Sequence, residues 1–236
     1  MTKNIAISLP CTNQEEWHAT QEPILSGWLT QGAKVVEFEE QFAQMHQTEH
    51  AIATTSCTTA LHLILMAMGI GPGDEVIVPA FTWVATANVV LYCGAKPVFV
   101  DVDPTTNNID ANEIISNITR KTKAVIVVHL FGLCVDVDSL RIRLPNNIRI
   151  IEDAACAAGA HINGRSAGSL GDAAAFSFHP RKIITTGEGG MVTTNDRSLP
   201  ESMIKMRNHG AEISEEQRHN GPRPYLLPEF NMLGFN

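Results

Sequence analysis

The chain predicts an α/β fold: three layers, helix on sheet on helix, built around a mostly parallel central sheet. From residue 51 onward, short β-branched runs alternate with amphipathic stretches, which is the signature of βα units. The apolar runs show little period-two alternation, so both faces of the sheet should be covered by helices.

Taken in order, the first fifty residues stand apart as an N-terminal segment. A Gly-Trp-Leu-Thr-Gln-Gly loop precedes VVEFEEQFAQMHQ, where Val36, Phe38, Phe42 and Met45 predict a helix packed outside the sheet core. Residues 51–236 read as one large domain. AIATT is a strand, TTALHLILMAMGI a helix, EVIVP a strand and TWVATANVVLYCG a helix. The pattern continues through PVFVDVD, the DANEIISNI helix, KAVIVVHL, the VDSLRIRL helix, RIIED and AAAFSF. Gly and Pro punctuate the junctions GPGDE, GAKP and LPNN. Beyond residue 197 a helical pattern, SLPESMIKMRNHG, gives way to EISEEQRHNGPRP, whose low apolar content predicts a mobile loop. The abrupt end at NMLGFN predicts a chain cut short.

Composition narrows the function classes. With 236 residues and 44% apolar content the chain can bury a substantial core. A net charge of −8 and scattered Lys and Arg leave no basic stripe, which argues against nucleic acid as a partner. Cys11, Cys57, Cys93, Cys134 and Cys156 form no CxxC pair and are odd in number, which suits a reducing compartment, the cytoplasm. The N-terminal apolar stretch is too short for a signal peptide, and no run reaches the length of a membrane span. The histidines show no HExxH spacing, so no metal is assigned.

The chemistry-bearing residues fall at expected strand ends, where α/β sheets bind ligands. In FSFHPRKIITTGEGGMV a lone lysine, Lys182, follows an apolar run and precedes Gly187, Gly189 and Gly190, which indicate a tight backbone path. Asp153 ends a strongly apolar run, where an ionised carboxylate needs a cationic partner or serves to cap a helix over AACAAG. A lysine able to form a Schiff base and a carboxylate able to keep a pyridine nitrogen protonated are the minimal equipment of a pyridoxal-phosphate enzyme. In TTSCTTAL the amides of Ser56, Cys57 and Thr58 suit a phosphate, although the same residues read alone form an ordinary N-cap. Ser177 could join that phosphate cup. Trp83 could stack on a planar ring, or fill a core.

Together these segments resemble the DegT/DnrJ/StrS group of pyridoxal-phosphate-dependent sugar aminotransferases, within the fold-type I aspartate aminotransferase superfamily. The resemblance runs through SGWLTQGAKVVEFEEQFA, TTSCTTALHLIL, GPGDEVIVPAFTWVATANVVLYCGAKPVFVDVD, VVHLFG, IIEDAACAAGA, GSLGDAAAFSFHPRKIITTGEGGMVTTND and RNHG, in fixed order. It implies that Lys182 carries the cofactor, Asp153 pairs with its ring nitrogen, Trp83 stacks on the ring, and Ser177 with the Ser56–Thr58 turn binds phosphate. Gly234, Phe235 and Asn236 match the family's GFN motif, whose Asn reaches the neighbouring subunit's phosphate, and an obligate homodimer follows. Trp28, Leu29, Thr30 and Gln31 match the segment that approaches the sugar; His129, Phe131 and His209 are weaker candidates for that pocket.

Two residues depart from the family pattern. Cys156 stands where Gln or His commonly contacts the cofactor's phenolic oxygen, and Cys57 where Gly is common in the phosphate turn. Family members also continue past GFN into a C-terminal small domain that this chain lacks, which predicts a fragment that is inactive by itself. The implied reaction moves an amino group from an amino acid, L-glutamate, to a keto group of a nucleotide-linked deoxysugar. The alternatives are a sugar dehydratase of the same fold, which carries His in place of the lysine, and a non-catalytic regulatory protein.

Overall fold

The computed structural model describes residues 8–213, 217 and 228–235. Asn236 and most of the polar EISEEQRHNGPRP segment lie outside the described residues. The elements are α1 (Gln14–Ala19), α2 (Gln21–Ser26), α3 (Ala33–Met45), β1 (His50–Thr54), α4 (Cys57–Ala67), β2 (Glu75–Pro79), α5 (Ala85–Tyr92), β3 (Lys96–Val100), α6 (Ala111–Ser116) and β4 (Thr122–Val128). They continue with α7 (Val137–Arg143), β5 (Arg149–Asp153), β6 (His161–Ile162), β7 (Arg165–Ser166), β8 (Ala173–Ser177), β9 (Gly190–Thr194) and α8 (Pro200–Met206).

Seven strands form one sheet in the order β1-β9-β8-β5-β4-β2-β3. Only β9 runs against the others, pairing antiparallel with both β1 and β8. The register lines up the carboxyl ends: Val128 lies opposite Asp153, Asp153 opposite Ala175, and Gly190 opposite both Ser177 and Thr54. One edge of the sheet therefore gathers the ends of β1, β4, β5 and β8 with the start of β9.

Each central strand is apolar on both faces, as a covered sheet requires. Val76, Val78, Ala124, Ile126, Ala173, Ala175 and Val192 face one cluster, with Leu61, Ile64 and Leu65 of α4. Their neighbours Ile77, Val125, Val127, Ala174, Phe176 and Met191 face the other, with Leu140 of α7 and Phe42 of α3. The alanines of β8 leave room for α4 to cross β8 and β9 at close range. No helix among the described residues is long and apolar enough to cross a membrane.

The N-terminal helix α3 departs from the expected pattern. It does not lie outside the core: Phe42 is buried against Phe176 and Phe178 at ring separations of 5.0 and 5.4 Å, and Phe38 stands 5.2 Å from Phe178. The inward stripe is 38–42–46, spaced one helical turn apart, with Phe38 partly buried and Phe42 and His46 buried, while Val36 and Met45 remain about half exposed. The next inward residue after Phe42 is thus His46 rather than Met45.

His46 is fully buried, with ring centroids 4.4 Å from Phe42 and 4.5 Å from Phe176. Its Nδ1–H donates to the Ala167 carbonyl at 2.6 Å, and Nε2 has no hydrogen-bond partner among the described residues. Burial pushes this imidazole below its ordinary pKa. As pH falls below about 6.5 the unfolded chain takes up the proton first, so the stability His46 contributes is complete above that value and is lost toward the depressed folded pKa. Urea unfolding between about pH 7 and pH 5 should show a steeper loss in wild type than in His46→Phe. Parallel losses would contradict the assignment.

Candidate active site

Strand alternation sends Asp153 and Glu152 to opposite faces of the sheet. Asp153 faces α4 and α5 and is 5% exposed. Its Oδ2 accepts the Thr86 hydroxyl at 2.8 Å, and Oδ1 accepts the Ala155 amide at 3.2 Å. The Cys57 thiol lies 3.9 Å from Oδ1. Burial raises the Asp153 pKa, against the pull of the Thr86 and Ala155 hydrogen bonds and the charge of Lys182. Burial, then the charge of Asp153, pushes the Cys57 thiol well up, so it stays protonated. Residues after Asp153 form turns rather than the helix that an N-cap role would need.

The start of α4 shows a capping box. Ser56 Oγ accepts the Thr59 amide at 3.1 Å, and Thr59 Oγ1 accepts the Ser56 amide at 2.9 Å. The N-cap expectation is thus correct, and it removes the Ser56 amide, but not the hydroxyl proton, from the candidate phosphate donors. The amides of Cys57 and Thr58 donate no hydrogen bond among the described residues. Gly190 lies so close that a Cβ there would collide with the Ser56–Cys57 peptide. This contact explains why β9 must begin with glycine.

Lys182 sits in the loop between β8 and β9. That loop is pinned at Phe178, whose carbonyl accepts the Thr186 amide at 3.1 Å and the Thr185 hydroxyl at 2.8 Å, while its amide donates to Gly189 at 2.9 Å. Lys182 is half-buried, and its amine donates to Cys156 Sγ at 3.1 Å. Cys156 therefore belongs beside the amine. Ser177 ends β8 on the same edge and accepts the His179 amide at 3.4 Å. Trp83 is 78% exposed just before α5, so it is not a core tryptophan.

The substrate candidates separate. Phe131 is 80% exposed in a turn after β4, with φ of 54°, a left-handed conformation that is strained for a non-glycine residue. His129 is corrected: it is fully buried, its Nε2 bonds Glu152 at 2.8 Å and its Nδ1 accepts the Val135 amide at 3.1 Å, so no face remains for a substrate. Gln31 shares a cavity of about 400 Å³ with Thr54, Thr55 and Thr59 beside the β1–α4 turn. Trp28 and Thr30 line a different depression with Glu22 and Lys34, and Leu29 is exposed. Trp28 packs on Gly32, where a Cβ would overlap the indole, and its Nε1 donates to Gln31 at 2.9 Å. His209 is exposed beyond α8, where its amide donates to Phe235 at 2.8 Å; it makes no hydrogen bond to Lys182 or Asp153. Asn236 lies outside the described residues.

Sequence reasoning missed Glu152. Fully buried on the other face, it accepts the amides of Gly168 at 2.7 Å, Leu170 at 2.8 Å and Gly171 at 2.6 Å, besides His129. A second carboxylate inside the same apolar run was the available signal. Among the described residues, no group of three or more His, Cys, Asp or Glu side chains could hold a metal ion.

A mostly parallel sheet with helices on both faces, carrying a lysine and a buried carboxylate on its carboxyl edge, defines the fold-type I class of α/β proteins. The chain belongs to the DegT/DnrJ/EryC1/StrS aminotransferase family, which it matches over residues 10–236. It is 50% identical over 234 residues to the GDP-perosamine synthase of Caulobacter vibrioides, a match covering 98% of this chain and 60% of that protein. Among solved structures it resembles Helicobacter pylori PseC, an aminotransferase of pseudoaminic acid biosynthesis, at 32% identity and a TM-score of 0.89, covering 99% of this chain and 61% of that one. Spr1654 of Streptococcus pneumoniae in its PMP form gives 31% identity and a TM-score of 0.90, covering 99% and 62%. The chain thus spans about 60% of the length of these relatives.

Truncating Glu152 leaves two buried amides, the part-buried Gly171 amide and His129 without their acceptor. Glu152→Ala should lower unfolding free energy in urea by about 3–5 kcal/mol. A loss under about 0.5 kcal/mol would contradict this role.

Proposed function

We propose that this chain is the pyridoxal-phosphate-binding part of an aminotransferase that moves an amino group from an amino acid, L-glutamate, to a keto group of a nucleotide-linked deoxysugar. The observation that carries the reading is Asp153: a buried carboxylate, fixed by two hydrogen bonds, with no ion pair among the described residues and a lysine on the same sheet edge. Such a group fits a protonated ring nitrogen, and the open amides of Cys57 and Thr58 at a helix N-terminus fit a phosphate. The GDP-perosamine synthase and PseC relatives support an amino sugar product, and a PLP form of Spr1654 supports the cofactor.

Pyridoxal phosphate, when bound, supplies a carbonyl that condenses with amines and a ring that accepts electrons. Lys182 would hold that carbonyl and release it to the donor's amine. The freed amine then takes a proton from the donor's α-carbon, and in the second half-reaction delivers one to the sugar carbon that receives the nitrogen. Asp153 keeps the ring nitrogen protonated. Cys57 and Thr58 bind phosphate through their amides and Ser177 through its hydroxyl, while Trp83 covers the ring face and Cys156 lies beside the amine. Phe131 and the Trp28–Gln31 loop are assigned to the sugar side, and Asn236 to a partner subunit's phosphate.

A homodimer with a shared site is supported by apolar side chains left open on this edge: Phe81 at 50%, Phe131 at 80% and Ile183 at 74% exposure. Five free cysteines support a cytoplasmic location. The reading is tested by borohydride reduction of the protein with pyridoxal phosphate, followed by peptide mass mapping. The adduct should fall on Lys182, vanish in Lys182→Ala, and be replaced by pyridoxamine phosphate on adding L-glutamate before reduction. An adduct confined to other lysines would overturn it.

A further inference from the structure

Thr86 is fully buried in the first turn of α5, with its Oγ1 2.8 Å from Asp153 Oδ2. Thr82, half-buried and four residues earlier, places its Oγ1 3.0 Å from Thr86 Oγ1. An ionised carboxylate only accepts, so the Thr86 hydroxyl donates to Asp153. Its single proton is then committed, and the Thr82 hydroxyl must donate to Thr86. The result is a directed chain, Thr82 to Thr86 to Asp153, which bridges the exposed Trp83.

We propose that Thr86, supported by Thr82, is a positioning residue that keeps the Asp153 carboxylate ionised and aimed at the cofactor's ring nitrogen. The proposal rests on the pyridoxal-phosphate reading above. Burial favours the protonated acid at Asp153, and a protonated acid cannot hold a proton on a ring nitrogen. The two strong donors to Asp153 are the Ala155 amide on Oδ1 and the Thr86 hydroxyl on Oδ2; the Cys57 thiol, at 3.9 Å, is a weak third. Aligned hydroxyls polarise one another, so the Thr82 donation strengthens the bond that Thr86 makes. Removing the Thr86 hydroxyl frees one carboxylate oxygen to turn away or take a proton.

The test compares Thr86→Val, which keeps the volume and removes the hydroxyl, with Thr86→Ser, which keeps the hydroxyl and removes the methyl. Pyridoxal phosphate affinity is measured by absorbance titration, with circular dichroism melting as the folding control. Thr86→Val should weaken binding about tenfold and Thr86→Ser should stay within about twofold of wild type. A packing role would give the reverse order. Thr82→Val, which leaves Thr86 in place, should weaken binding about threefold and keeps the proposal testable if Thr86→Val fails to fold. Wild-type affinity in Thr86→Val, in Thr82→Val, or equal losses in Val and Ser at 86, would overturn the proposal. A wild-type chain that binds no pyridoxal phosphate would instead overturn the functional reading on which it stands.

Discussion

Asp153 gives up nearly all of its hydration at the end of β5, and a carboxylate in that position is stable only where the surrounding groups replace the lost water. Thr86 and Ala155 each donate to one of its oxygens, and the Lys182 charge acts from the neighbouring loop. These contacts fix α5, the turn after β5 and the β8–β9 loop relative to one another. The site is in this sense a consequence of where one strand ends. The residual demand for positive charge is what the proposed binding of a cationic ring would meet.

The same edge depends on backbone contact. Gly190 lets the start of β9 lie against the Ser56–Cys57 peptide, which seats the α4 N-terminus between β1 and β9. Glycine is needed again at 210 and 234, where side chains would strike Met232 and the His209–Gly210 backbone. Phe235 then packs against the α4 cluster, with its ring 5.1 Å from that of His62. The two carboxylates of β5 divide the labour. Glu152 fastens the 168–171 turn and His129 on one face, while Asp153 faces α4 and α5 on the other.

Most of the sheet was legible because parallel strands covered on both faces carry unbroken apolar runs, as Val76–Val78 of β2 and Ala124–Val128 of β4 do. β9 is hidden in the sequence because GMVTT opens on the glycines that follow Lys182 and ends in polar threonines. The β6–β7 hairpin carried a readable signal that went unused: Asn163–Gly164, with φ of 51° and 80°, is the dipeptide of a tight primed turn. Lys182, Asp153, Ser177 and the α4 turn were placed on one edge by strand-end logic alone. Thr86 and Glu152 were invisible to it, because their roles depend on which face of an element each side chain takes. His129 failed for a related reason: a histidine after a strand can turn inward to satisfy a buried carboxylate.

The central claim is that Asp153 holds a protonated ring nitrogen. It is tested most directly by nitrogen NMR of pyridoxal phosphate labelled at the ring nitrogen and bound to the protein. The account predicts a pyridinium signal in wild type that moves to the neutral pyridine position in Asp153→Asn. A pyridine signal in wild type, or a pyridinium signal unchanged by the substitution, would contradict it.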